Sequence, residues 1–215
     1  MVRPRRYGAA MTWGNQYRRS ERSQQAILRA ALELCREVGY EALRIEAIAR
    51  RAEVGKQTIY RWWPSKGALL LDALRDVSAP AGVYPDTGNL FDDLLNQMTV
   101  AAEYMFSTER RAALIGVFDA AHHDRELADQ LLTGVIAPRT EAGMARLRAG
   151  VAAGDLAANT DVALLLEQVY APLYYRMLVT GEPADDDYLR RHLRALLAAP
   201  PLTAEGTPPE PGASN

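Results

Sequence analysis

The sequence predicts an all-α protein with a three-helix head followed by a larger helical body. Apolar residues recur at three- and four-residue spacing through most of the 215 residues. No stretch of useful length alternates apolar and polar side chains as a half-buried strand does. Glycine and proline fall mainly between the periodic runs, where they punctuate helices. With 48% hydrophobic and 24% charged residues, the composition is that of an ordinary soluble globular chain able to bury a core.

Taken in order, residues 1–19 carry Arg3, Arg5, Arg6, Arg18 and Arg19 with Tyr7, Trp13 and Tyr17 but no helical period, and read as a disordered basic arm. Ser20 or Ser23 is placed to cap a helix through Ile27, Leu28, Ala31, Leu32, Cys35 and Val38, which Gly39 ends in a left-handed conformation. Ile45, Ile48, Ala49 and Ala52 mark a second, shorter helix, and residues 56–63 a third. Pro64-Ser65 then starts a connecting helix through Leu69, Leu70 and Leu74, so the head spans 20–77. Pro80, Gly82, Pro85 and Gly88 read as a loop.

The body, 78–199, begins with a strong helical period at Leu90, Leu94, Leu95, Met98, Ala102 and Met105. Helices follow over about 108–121 and 124–150, the second interrupted at Pro138. After the "AAGDL" turn, Thr160-Asp161 caps a strongly apolar helix to Val179 that Pro172 is placed to kink. A last helix carries Tyr188, Leu189, Leu193, Leu196 and Leu197, and the Pro- and Gly-rich residues 200–215 read as a disordered tail.

Charge divides along the same line. Residues 1–77 hold 15 Lys+Arg against 8 Asp+Glu, whereas the remainder holds 10 against 19. A basic first third joined to an acidic remainder points to a polyanionic partner at one end only. The single cysteine, Cys35, cannot form an internal disulfide and lies on an apolar helix face as a core residue. No run of 18 apolar residues and no apolar signal segment after the basic start appears, so a cytoplasmic protein is expected. His122-His123-Asp124 is the one cluster that invites an enzymatic reading. Adjacent helical residues point about 100° apart, and with His192 and Cys35 remote in sequence no full zinc set is evident. No catalytic residue, metal site or cofactor is expected.

Both lysines of the chain fall within "VGKQTIYRWWPSK", residues 54–66. On a helix Ile59 and Trp63 share a face that must dock inward, which leaves Lys56, Gln57, Thr58, Tyr60, Arg61 and Trp62 presented outward. Gln suits adenine's N6/N7 and Arg guanine's O6/N7, while Lys, Tyr and Thr suit phosphate oxygens. Two short helices joined at Glu53-Val54-Gly55 describe a helix-turn-helix whose second helix fits the major groove.

At these residues the chain resembles the TetR/AcrR family of bacterial transcriptional repressors. The run "AILRAALELCREVGYEALRIEAIARRAEVGKQTIYRWWPSKGALL", residues 26–70, carries the likeness, above all "TIY" and "WPSKGALL". "DTGNLFDDLL", "APRTEAG", "AGDL" and "APLYYRMLVTG" extend it more weakly to about residue 198. The resemblance implies phosphate contacts by Tyr60 and Lys66, a backbone contact by Trp62, and groove contacts by Lys56, Gln57, Thr58 and Arg61. It departs from the family pattern at Glu53, where glycine is usual, and at Arg44, where a capping threonine is common and arginine could reach a phosphate.

For the body the resemblance implies a homodimer formed by the last two long helices. Leu165, Leu166, Val169, Leu173 and Met177 of the first, with Leu189, Leu193 and Leu196 of the second, are the expected interface. It also implies a pocket for a small-molecule effector, with Met98, Tyr104, Met105, Phe118, Tyr170 and Tyr174 as candidate lining. The expected function is thus a ligand-responsive repressor that binds a near-palindromic operator as a dimer. An activator, or a regulator controlled by a partner protein, is the alternative within the same class.

Overall fold

In a computed structural model the backbone is described at residues 10–76 and 84–199, with side chains at 21–75 and 84–199. The expectations for residues 1–9, for the first part of the 80–88 loop and for the tail from 200 therefore fall outside the described residues. Among the described residues the secondary structure is helical, with a single isolated bridge residue at Thr160 and no strand. The chain forms two compact units: one comprises the chain to residue 78 with 108–128, the other 79–107 with the chain from 129 on.

The first unit begins with helix α1 (Ala10–Ala42). It starts well before Ser20 and Ser23, so neither serine is its N-cap, and residues expected to be aperiodic continue the helix backward. Residues 10–19 contain no proline, and the lone Gly14 costs a helix only about 1 kcal/mol. Gly39, at φ 77° and ψ 167°, breaks the helical path as expected and turns Tyr40 away from it. Helices α2 (Ile45–Arg51), α3 (Lys56–Tyr60) and α4 (Lys66–Asp76) follow. Their core joins Ile27, Ala31 and Cys35 to Ile48, Ile59, Leu69 and Leu70, each fully buried.

Helix α6 (Arg111–Ala121) packs on α1 and α4, which makes it part of the first unit although the sequence assigned it to the body. The approach is close because Gly116 has no side chain: a Cβ there would lie 2.3 Å from Tyr40 Cβ and 2.4 Å from its Cγ. Tyr40 is thereby pinned between α1 and α6, with its hydroxyl near Gly67 of α4.

Burial pushes the Cys35 thiol up to about 11, only partly opposed by the positive charge of Lys66. Thiolate is the reactive form, so Cys35 is expected to resist a disulfide-exchange reagent at pH 8 in the folded protein and to react at the ordinary rate in denaturant. Rapid labelling without denaturant would overturn this assignment to the core.

The second unit contains α5 (Leu90–Met105), α8 (Ala137–Ala153), α9 (Val162–Tyr175) and α10 (Asp186–Ala198), while α7 (Arg125–Leu131) runs from the first unit into it. Side-chain caps define three starts: Asn89 accepts from the Asp92 amide, Asp161 from those of Ala163 and Leu164, and Asp185 from that of Tyr188. Leu132–Ile136 form a π-helical turn just before Pro138, which enters α8 in its first turn, where a missing N–H does no harm. Pro172 sits inside α9 and leaves the Gln168 carbonyl without its helical donor. His192 of α10 supplies the replacement, its Nε2 lying 3.0 Å from that carbonyl; since a carbonyl only accepts, Nε2 carries the proton.

A buried ion pair lies inside this unit. Asp93 is fully buried and accepts from Arg146 Nε at 2.9 Å and Nη2 at 2.6 Å, and from Thr87 Oγ1 at 2.7 Å. It ties the segment leading into α5 to α8.

The expected dimer residues require a correction. Leu165, Leu166, Val169, Leu173, Met177, Leu189 and Leu193 are each at most 6% exposed within a single chain, so they are core rather than interface, and Leu196 is half-buried. α9 packs its apolar stripe on α5, α8 and α10. The large apolar side chains left exposed by α9 and by the π-helical turn Arg176–Thr180 that follows it are Leu164, Tyr175, Leu178 and Val179.

Candidate nucleic-acid interface

The turn between α2 and α3 is made by Ala52 to Gly55. The Ala52 amide bonds the Ile48 carbonyl at 2.9 Å and the Val54 amide the Ala49 carbonyl at 3.0 Å, which closes α2 tightly. Glu53 takes φ 53°, the only described non-glycine residue with positive φ, at a cost of about 1 kcal/mol. The departure seen at this position in the sequence is therefore a real strain, and the fold absorbs it.

Helix α3 is short, but the Trp63 amide still bonds the Ile59 carbonyl at 2.9 Å and holds the two side chains on one face. Ile59 is fully buried and Trp63 is 5% exposed, with its Nε1 donating to Asp72 of α4 at 3.0 Å. This is the inward stripe expected from the sequence. Lys56, Gln57, Tyr60 and Arg61 are exposed, and Thr58 is half-buried. Trp62 is half-buried rather than outward: its ring meets Trp63 edge-on at 5.4 Å, and the Arg61 guanidinium lies 5.4 Å from its centre.

Three other expected contacts look different in three dimensions. Arg44 stands at the N-cap of α2 without a side-chain capping bond and donates instead to the Glu41 carbonyl at 2.6 Å and the Leu43 carbonyl at 3.2 Å. Lys66 donates to the Tyr40 carbonyl at 2.8 Å, and its ammonium lies 4.2 Å from the Tyr40 ring centre. It staples the start of α4 to the end of α1, where carbonyls favour a cation. Lys56 is paired with Glu46 of α2, a residue the sequence reading passed over. Its signal was available: Glu46 lies in the first turn of α2, ten positions before Lys56.

The six residues expected to line a pocket are divided between the two units. Phe118 belongs to α6 in the first unit, and its carbonyl accepts from Nδ1 of His122 at 2.8 Å. Met98 and Met105 are buried in the second unit, where Tyr104, Tyr170 and Tyr174 are half-buried. The Tyr170 hydroxyl meets that of Tyr84 at 2.5 Å, and burial raises both phenols above the usual range. An open groove of about 360 Å³ lies elsewhere in this unit, between α5 and α10, lined by Asp92, Asn96, Thr99, Glu103, Asp186 and Arg190 among others. Among the described residues no group of three or more His, Cys, Asp or Glu side chains is arranged to hold a metal, and no helix is long and apolar enough to cross a membrane.

A strained turn between two short helices, an outward polar row and a helical second unit define the class of helix-turn-helix regulators. Residues 27–73 match the family "Bacterial regulatory proteins, tetR family", and residues 84–196 match "Tetracyclin repressor-like, C-terminal domain". The HTH-type transcriptional regulator YdeS of Bacillus subtilis is 34% identical over 80% of this chain and 86% of its own. The DNA-binding transcriptional repressor TetR of Mycobacteroides abscessus is 29% identical over 80% of this chain and 90% of its own. The crystal structure of the TetR family regulator SCO0332 superposes with a TM-score of 0.61 at 34% identity, covering 81% of this chain and 96% of that one. The chain belongs to the TetR family of transcriptional regulators.

Proposed function

We propose that the chain is a repressor that binds a near-palindromic operator as a homodimer and leaves it when a small molecule occupies the second unit. The observation that carries the DNA-binding half is the exposed row Lys56, Gln57, Tyr60 and Arg61 on a helix whose back, Ile59 and Trp63, is buried. Gln57 and Arg61 are the base-reading groups, and Tyr60 and Thr58 contact backbone. Selection of binding sites from genomic fragments by the purified protein, with and without candidate effectors, tests the reading. Gln57→Ala is expected to relax preference at one base position by about 1–3 kcal/mol while leaving affinity for random duplex unchanged. An unaltered selected sequence would reassign base reading away from Gln57, and failure to bind any duplex would remove the function.

Dimerisation is proposed through the outward side of α9 and its π-helical turn. Leu164, Tyr175 and Leu178 recur there at helical spacing beside Val179, and their apolar surface is exposed in the single chain. Two heads joined in this way suit two half-sites about one DNA turn apart. Val179→Asp is expected to shift the protein from dimer to monomer in sedimentation and to weaken operator binding at least about tenfold, since it places a charge in an apolar contact. A Val179→Asp protein that sediments as a dimer would move the interface elsewhere. The effector site is proposed around Met98, Tyr104, Met105, Tyr170 and Tyr174, where phenols punctuate apolar bulk.

A further inference from the structure

Among the described residues, the acidic side chain in an ion pair with the DNA-reading helix is Glu46. Its carboxylate, in the first turn of α2, meets the ammonium of Lys56 at the start of α3. Both side chains are exposed, 58% for Glu46 and 47% for Lys56, so the pair is open to solvent and to any partner of this face. Lys56 also lies 5.5 Å from the centre of the Tyr60 ring, among the residues proposed to meet DNA. The other lysine, Lys66, is held by the Tyr40 carbonyl. The head's two ammonium groups are thus both engaged inside the chain.

An exposed ion pair adds little to stability, so holding the fold together does not account for Glu46. Its position has a consequence for binding instead. An unpaired lysine beside a duplex neutralises phosphate and strengthens binding to every sequence alike. A carboxylate on that ammonium cancels the charge and makes a phosphate compete for the lysine, while the amide of Gln57 and the guanidinium of Arg61 remain available to bases. Discrimination is the ratio of specific to random affinity, and it rises when the sequence-independent share is suppressed.

We propose that Glu46 is a specificity-determining residue that acts through Lys56, occupying its ammonium and so lowering affinity for non-cognate DNA. The inference rests on the DNA-binding reading above. The role of Glu46 is to position and neutralise Lys56.

The test uses the full chain and two duplexes, one carrying a selected operator and one of scrambled sequence, titrated over a range of salt concentrations. Glu46→Gln keeps the size of the side chain and removes its charge. It is expected to tighten binding to the scrambled duplex about eightfold at 0.1 M salt, the worth of one further phosphate contact. The slope of log affinity against log salt should steepen by about 0.9, and the ratio of operator to scrambled affinity should fall. In a Lys56→Gln background the same substitution should do nothing, which separates action through Lys56 from direct repulsion of DNA.

An unchanged salt slope in Glu46→Gln overturns the proposal. So does an equal gain in the Lys56→Gln background, or a change confined to one base pair of the operator, which would make Glu46 a reader of cytosine. If the unmodified chain binds no duplex, the regulator reading falls together with it. If that chain binds and Glu46→Gln behaves identically, only the role of Glu46 is lost.

Discussion

Gly116→Val is expected to destabilise the first unit by about 3 kcal/mol, the upper end of what overpacking a dense site costs. Even a methyl at this position would sit 2.3 Å from Tyr40 Cβ, and the Tyr40 hydroxyl is itself held near Gly67 of α4. The readout is built in: the three tryptophans are Trp13, Trp62 and Trp63, all in the first unit, so urea unfolding followed by their fluorescence reports on that unit. The midpoint should fall sharply. Tyr40→Ala in the same chain should restore part of the loss by vacating the space, although Tyr40→Ala alone is destabilising. An unaltered midpoint in Gly116→Val would mean that α6 does not lie against α1 as described.

Arg146→Met carries the second large effect. Removing one partner of a buried pair leaves a charge without compensation and typically costs about 3–5 kcal/mol. Asp93 would keep only Thr87, which donates through its amide and its hydroxyl. Loss of helical circular dichroism in urea should occur at markedly lower concentration. Replacing both members, as Asp93→Leu with Arg146→Met, should cost much less than Arg146→Met alone, because no buried charge remains. Equal penalties for the single and double variants would contradict the pairing.

The same site sets an acid limit. Burial pushes the Asp93 carboxyl upward, but bonds from Thr87 and Arg146 outweigh it and hold the group below the ordinary carboxylate value. A carboxylate whose folded value is depressed contributes stability that is fully present above the unfolded value, near pH 4, and is lost as pH falls through the folded value. The second unit is therefore expected to keep this contribution throughout the neutral range and to weaken only below about pH 4. In Asp93→Asn that component of the acid dependence should disappear.

Much of the head was legible in the sequence because it rests on local rules. The spacing of Ile59 and Trp63, the break at Gly39 and the strain at Glu53 all follow from helical period and backbone sterics, and the coordinates reproduce each. What escaped depends on long-range packing. That α6 joins the head follows from Tyr40 fitting against Gly116, two residues 76 positions apart that no local pattern links. Nor did spacing show that the Lys66 ammonium meets the Tyr40 carbonyl, 26 positions away in sequence. In the body the apolar positions of α9 were read correctly as apolar but assigned outward. Periodicity identifies a stripe and does not say whether the same chain or a second copy covers it.

The proline in α9 has a mechanical consequence. Because Pro172 strips the Gln168 carbonyl of its helical donor, His192 meets that oxygen at one height along the bundle. Sliding α10 past α9 by a turn would strand the carbonyl, so the two helices are keyed in register. Any rearrangement of this unit must carry them together as a single lever.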